Sequence, residues 1–116
     1  MLTGYAIITA IAILANAGIA IADFLRAKFV LANSVEVGLP ENWLPWLAAL
    51  KAAGAAGLLL GLMGVPVIGV AAATGLVLFF IGATAAHIRA RVYYNIAFPG
   101  GYLALAAASL LLAVAR

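Results

Sequence analysis

Polarity along the chain divides it into four long apolar runs joined by three more polar connections. The runs cover about residues 2–23, 43–63, 66–87 and 96–114. Each is close to the ~20 residues that cross a bilayer as a helix. None shows the strict alternation of a half-buried strand. The pattern therefore predicts one all-α domain over residues 1–116, an integral membrane four-helix bundle with up-down-up-down topology. Gly64-Val65-Pro66 leaves room only for a turn, so the second and third runs form an antiparallel hairpin. The connection from His87 to Asn95 is also short, whereas the first, Asp23 to Asn42, is long. Within it Phe24, Leu25, Phe29, Val30 and Leu31 interleave with Arg26, Lys28 and Asn33. That loosely helical pattern predicts that the first helix continues to about Asn33. Asn33 and Ser34 are candidate caps for a short turn that Gly38 ends and Pro40 stops.

A cleaved leader is the competing reading of the first run, because Ala15-Asn16-Ala17 and Ala20-Ile21-Ala22 both offer a small-x-small site. No Lys or Arg precedes the run, however, and it exceeds the ~7–15 residues of a leader's apolar region. The expectation is a retained span.

Composition strengthens the membrane reading and narrows the chemistry. Only 8% of the 116 residues are charged and 69% are apolar, against about 25% charged in soluble domains; the mean hydropathy is +1.28. The spans leave no room for a separate soluble catalytic domain, and the catalytic residues, if any, are unknown. The first partner is the lipid bilayer, and a multi-pass membrane protein is expected. The net charge of +3 is scattered and forms no basic stripe, which argues against nucleic acid. Without cysteine there is no thiolate chemistry. One histidine cannot alone make a bis-His haem or copper site, and HExxH, P-loop, nucleophile-elbow and GxGxxG motifs are absent. No metal or haem site is expected, and the cofactor is unknown.

The few polar residues gather at one depth. Asp23 ends the first span, His87 ends the third, and Arg89 and Arg91 follow it, all on the face that carries the first and third connections, called here the loop face. Lys51 lies about 12 Å into the second span from that face, and Asn16 about 10 Å deeper than Asp23. Thr9, Asn16 and Asp23 recur every seven residues on one helix stripe, and Thr84, His87 and Arg91 follow an i, i+3, i+7 pattern. Three such stripes predict a pocket under the loop face, with Asp23 and Lys51 as an ion pair, His87 beside them and Asn16 at the floor. The alternatives are a terminal charge at Asp23, a snorkelling Lys51, and ordinary interfacial flanks at His87, Arg89 and Arg91. Since a pair of this kind often only breaks even against apolar residues, Lys51→Leu is expected to leave the protein inserted and stable while removing ligand retention.

Small residues mark helix packing: Gly54, Gly57 and Gly61 recur along the second span, and Gly57-Leu58-Leu59-Leu60-Gly61 is a GxxxG. They serve either packing within the chain or a homo-oligomer through this Gly-rich helix. Trp43, Trp46, Tyr93 and Tyr94 are expected as interface anchors at headgroup level. Arg26, Lys28, Arg89 and Arg91 on the loop face, against Arg116 on the other, predict a cytoplasmic loop face.

These residues carry a family resemblance. Asp23 follows a small-residue first span; VGLPENWLPWLAALKAAGAAGLLLGL contains Gly38-x-Pro40 and then Lys51 in a Gly-rich helix; FFIGATAAHIRAR ends the third span and NIAFP opens the fourth. Over nearly its whole length the chain resembles the DoxX family, in particular its short actinobacterial DoxX-like form. The resemblance implies a four-helix bundle in a bacterial inner or plasma membrane, without one fixed activity. Some relatives are linked to a membrane-associated oxidoreductase complex in oxidative and thiol stress, others resemble a subunit of thiosulfate–quinone oxidoreductase, and an animal branch resembles a receptor-assembly chaperone.

Three functions follow as expectations. The first is an accessory or ligand-binding subunit that holds a quinone or lipid-like molecule for a membrane-associated oxidoreductase or stress-response complex, and is not a stand-alone enzyme. The second is a structural or assembly protein packed against another membrane protein. The third is a small proton-coupled transporter, ranked last because Asn16 stands where small multidrug transporters need an acid in the first span.

Overall fold

The computed structural model describes residues 2–115. Five α-helices follow in order, α1 (Leu2–Phe24), α2 (Lys28–Glu36), α3 (Leu44–Leu62), α4 (Pro66–Arg89) and α5 (Ala97–Ala115), with a 3-10 turn at Glu41–Trp43 leading into α3. Among the described residues there is no strand, and the fold is the all-α bundle expected. Helices α1, α3, α4 and α5 are each long and apolar enough to cross a membrane. Helix α1 packs on α3, α3 on α4 and α4 on α5, and α5 closes the ring against α1. Arg116, part of the charge argument above, lies outside the described residues.

The bundle has an apolar centre at Leu58, Leu76 and Phe80, but small and polar residues fill much of the rest of its interior while many large aliphatics face outward. Ala12, Ala48 and Ala73 are fully buried along with Thr9, Asn16 and Ser109, while Leu14, Val67, Leu78 and Leu111 are exposed. Lipid tails solvate an outward Leu as well as a protein core does, so nothing drives large aliphatics inward. What holds the helices together is close backbone approach and inward polar contact.

That approach is tightest between α3 and α4. A Cβ on Gly61 would stand 2.7 Å from the Gly69 Cα, and one on Gly57 would stand 2.5 Å from the Ala72 Cβ. Gly54 meets the Leu76 side chain in the same way. The glycines expected as a packing stripe are thus buried inside the hairpin. They serve packing within the chain, where they let α3 and α4 approach.

The first helix does not continue to Asn33. It stops at Phe24, and the chain turns through Arg26, whose φ is 53°. The Ala27 N–H donates to the Ala22 carbonyl at 3.0 Å and the Arg26 N–H to the Asp23 carbonyl at 3.1 Å. This is the six-to-one and five-to-two bonding of a Schellman stop. Helix α4 ends the same way, with Arg91 at φ 57° and the Val92 N–H on the His87 carbonyl at 2.9 Å. Gly38 and Gly64 take the same left-handed position after α2 and α3. Gly38 ends α2 as expected, but Asn33 and Ser34 sit within that helix and do not cap it. The turn at Arg26 lets α2 fold back over the loop face, where Val30 and Val37 are buried and Val30 packs with Ile19 and Leu44.

Candidate functional site

Beneath α2 lies a cavity of about 680 Å³, bounded by α2, the start of α3, the second half of α4 and the start of α5. Its walls are mostly apolar, with Ile19, Leu44, Phe79, Phe80 and Tyr102 among them, and its polar groups are Asp23, Asn33, Ser34, Glu36, Lys51, His87, Tyr94 and Asn95. A largely apolar concavity with a few converging polar groups is the usual form of a small-molecule site.

Lys51 points inward. Its Nζ donates to Asp23 Oδ2 at 2.6 Å, and the Lys51 and Asp23 side chains are only 11% and 3% exposed. The ammonium also stands 5.3 Å from the centre of the Phe79 ring, close enough for the ring's negative face to attract it. Gly54, one turn further along α3, lets Leu76 of α4 close in beside it. Two consequences follow from burial. The pair is shielded from salt and water, so its attraction is strong. Neither charge tolerates loss of the other, because an unpaired buried charge is costly. The expectation that Lys51→Leu alone is stable therefore does not survive the geometry.

His87, in the last turn of α4, is 3% exposed. Its Nδ1–H donates to the Ala83 carbonyl at 3.0 Å, and its Nε2 faces Asn33 Oδ1 of α2 at 3.1 Å. Asn95, just before α5, donates through Nδ2 to the same Asn33 oxygen at 3.2 Å. Asn33 thus joins α2 to α4 and to the α4–α5 connection through one atom. At the rim, the Tyr94 hydroxyl donates to both Glu36 carboxylate oxygens, at 2.5 and 2.7 Å. That bond, with some loss of water and the adjacent negative charge, holds the hydroxyl's ionisation above the ordinary tyrosine range. Arg26 and Glu41 form a further pair at 3.0 Å, both half-exposed or more, and such pairs contribute little.

Three of the sequence candidates stand elsewhere. Asn16 is sealed in the bundle, its Nδ2 on the Ala12 carbonyl at 2.9 Å and its Oδ1 buried without a partner. It does not line the cavity, whose wall stops above it at Ile19 and Asp23. Thr84 also lies off the cavity, with a buried hydroxyl that has no partner. Arg91 is exposed and comes after the end of α4, so the i, i+7 register that placed it with His87 does not apply. Trp43 lines the cavity at its mouth, Trp46 and Tyr93 are exposed, and Tyr94 spans mouth and rim.

Sequence reasoning missed Asn33, Asn95, Phe79 and Tyr102. Asn33 was read as a cap and Asn95 as the end of a polar flank. Only the backward fold of α2 brings them to His87. Tyr102 sits in the apolar start of α5 and donates from its hydroxyl to the Ala15 carbonyl at 3.0 Å. Its position gave no polar pattern to follow. For a metal, no group of three His, Cys, Asp or Glu side chains converges among the described residues. For an organic ligand, Asn33, Lys51, His87 and Asn95 could hold a polar head while Phe79, Phe80 and Leu44 surround an apolar body.

No curated protein and no solved structure matches the chain. The model of the DoxX-like family matches residues 7–109, which takes in all of this pocket and most of all four apolar helices: the chain is a multi-pass membrane protein that belongs to the DoxX-like family.

Proposed function

We propose that the protein is a ligand-holding accessory subunit, which keeps a quinone or similar lipid-like molecule in the cavity under α2 on behalf of a membrane-associated oxidoreductase or stress-response complex. The observation that carries this reading is the cavity's composition. A volume of about 680 Å³ admits a ring-sized head and part of a tail, and it places buried charged and amide groups against aromatic walls. A bundle that needed only to fold has no use for that space, since unfilled volume and buried charge both cost stability. On this reading the protein holds the molecule and a partner carries out redox turnover; the sequence has no cysteine to supply a thiol.

The test is mass spectrometry of small molecules and proteins retained after gentle detergent extraction. The wild-type protein is expected to carry a stoichiometric amphipathic molecule, and the Lys51→Leu/Asp23→Val double variant to lose it. A preparation with no small molecule but a stoichiometric membrane protein would replace this reading with the structural or assembly one; proton-coupled dye efflux from proteoliposomes would replace it with transport.

We propose further that the loop face lies in the cytoplasm, on the strength of Arg26, Lys28, Arg89 and Arg91, and that the membrane is a bacterial plasma membrane. A reporter fused after α5 and active only in the cytoplasm should stay silent; activity would reverse the orientation.

A further inference from the structure

His87 holds a hydrogen-bond conflict that has only two solutions. Its Nδ1 bonds a backbone carbonyl, which can only accept, so Nδ1 carries a hydrogen. Its Nε2 faces the oxygen of Asn33. If Nε2 also carries a hydrogen, the ring is an imidazolium and the contacts of His87 and Asn33 are sound, while Asn95 Oδ1 is left buried without a partner. Asn33 Oδ1 then accepts from both His87 and Asn95. If the ring is neutral, Nε2 is a lone pair against a lone pair at 3.1 Å, and the amide of Asn33 must turn over. Its nitrogen then has two hydrogens to give, one to His87 Nε2 and one to Asn95. Asn95 can take it only by turning over too and presenting its own Oδ1, the buried atom that otherwise has no partner. Amide turnover about a terminal bond moves no heavy-atom position appreciably, so both states fit the same frame.

The two states differ in what faces the ligand. Asn33 lines the cavity. With His87 charged, its oxygen is held by His87 and Asn95, and the NH₂ group is free for an occupant. With His87 neutral, its NH₂ is committed and the oxygen is free. We infer that His87 sets the ligand chemistry of this pocket: charged, it makes Asn33 a donor that takes acceptor-only heads such as a quinone carbonyl, and neutral, it makes Asn33 an acceptor that takes hydroxyl-bearing heads such as a hydroquinone. The inference rests on the pocket reading above and adds which oxidation level the pocket prefers and when. The other ionisable groups facing His87 across the cavity are Asp23 from α1, Lys51 from α3, Glu36 from α2, Tyr94 before α5 and Tyr102 on α5. Asp23 and Lys51 are paired with one another and Glu36 accepts from Tyr94, whereas His87 bonds directly to Asn33. On its own helix Arg89 is exposed, as is Arg91 beyond it.

The sole histidine gives a single ring signal, so the switch can be read without a ligand. In nanodiscs of the full chain with ¹⁵N-labelled His and Asn, both ring nitrogens should be protonated at low pH. As pH rises, Nε2 should lose its hydrogen while the side-chain amides of Asn33 and Asn95 shift with the same midpoint. Asn signals that stay fixed through that titration, or a ring that is neutral at every pH from 4.5 to 8, would overturn the switch. Binding is then measured by quenching of Trp43, which lines the cavity mouth, with a decyl-substituted benzoquinone and its hydroquinone as probes. Affinity for the quinone should fall about tenfold per pH unit above the His87 midpoint, the slope of one linked proton. The hydroquinone, whose hydroxyl can both donate and accept, should hold its affinity, and His87→Gln should flatten the quinone profile. A flat quinone profile in the wild-type protein overturns the selector. Binding of neither probe at any pH overturns the quinone-pocket reading and the selector with it, while the ring and amide signals still decide whether the switch exists.

Discussion

Lys51→Leu is expected to destabilise the folded protein by about 3–5 kcal/mol, the usual cost of stranding one member of a buried ion pair. Asp23 is the reason. Its side chain is 3% exposed, and its only ion-pair partner among the described residues is Lys51, at 2.6 Å. Asp23→Val should cost a similar amount by stranding the lysine, which the Phe79 ring at 5.3 Å only partly compensates. The double variant removes both charges and puts apolar volume in their place, so it should return to within about 1–2 kcal/mol of the wild type. Unfolding of the four proteins by denaturing detergent in mixed micelles measures this as a double-mutant cycle. Additive single effects would mean that the pair is solvated by lipid headgroups or water and that the two charges do not depend on one another. The stable double variant is also the proper control for ligand loss, since it separates the site from the fold.

Gly61→Ala should cost about 1–3 kcal/mol, the range for overpacking a tight core, while Gly82→Ala should be neutral or stabilising by up to about 1 kcal/mol. Both glycines are in helices of the same hairpin. At Gly61 the new methyl would meet the Gly69 backbone at 2.7 Å, and backbone cannot step aside as a side chain can. At Gly82 nothing lies within 4 Å, so the methyl enters open space and only the gain in helix propensity remains. The same unfolding measurement checks both. Equal losses at the two positions would mean that α3 and α4 are not in the close register seen here.

The helices were legible because lipid imposes a length and forbids unpaired backbone. The hairpin was legible because Gly64-Val65-Pro66 permits nothing else. Where the sequence misled, the cause was a helix stop without its usual marker. Arg26 and Arg91 both take a left-handed turn position normally filled by glycine or asparagine, and a reader who looks for Gly runs α1 onward to Asn33 and carries the α4 register through Arg91. Asp23, Lys51 and His87 stood out as ionisable residues in an apolar chain. Their uncharged neighbours Asn33 and Asn95 did not, because an asparagine near a helix end is ordinary until a tertiary turn brings it to a buried imidazole. Depth and a shared helix stripe with Asp23 point Asn16 to the floor, but neither says whether open space reaches that far.

Residence time in the cavity follows from how α2 is attached. Both ends of this short helix are left-handed turns, at Arg26 and at Gly38, and the polar bonds it sends across the cavity run through Asn33 and Glu36 alone. Moving it outward would have to free Val30 from Ile19 and Leu44 as well as break those bonds. On the ligand-holding reading, the occupant's own contacts set how tightly it is held, and the contacts of α2 set how soon it could leave by this face. On the same reading, a partner protein that draws Glu36 away from Tyr94 would loosen the rim of the cavity and speed hand-over while leaving Lys51, His87 and Asn33 in place.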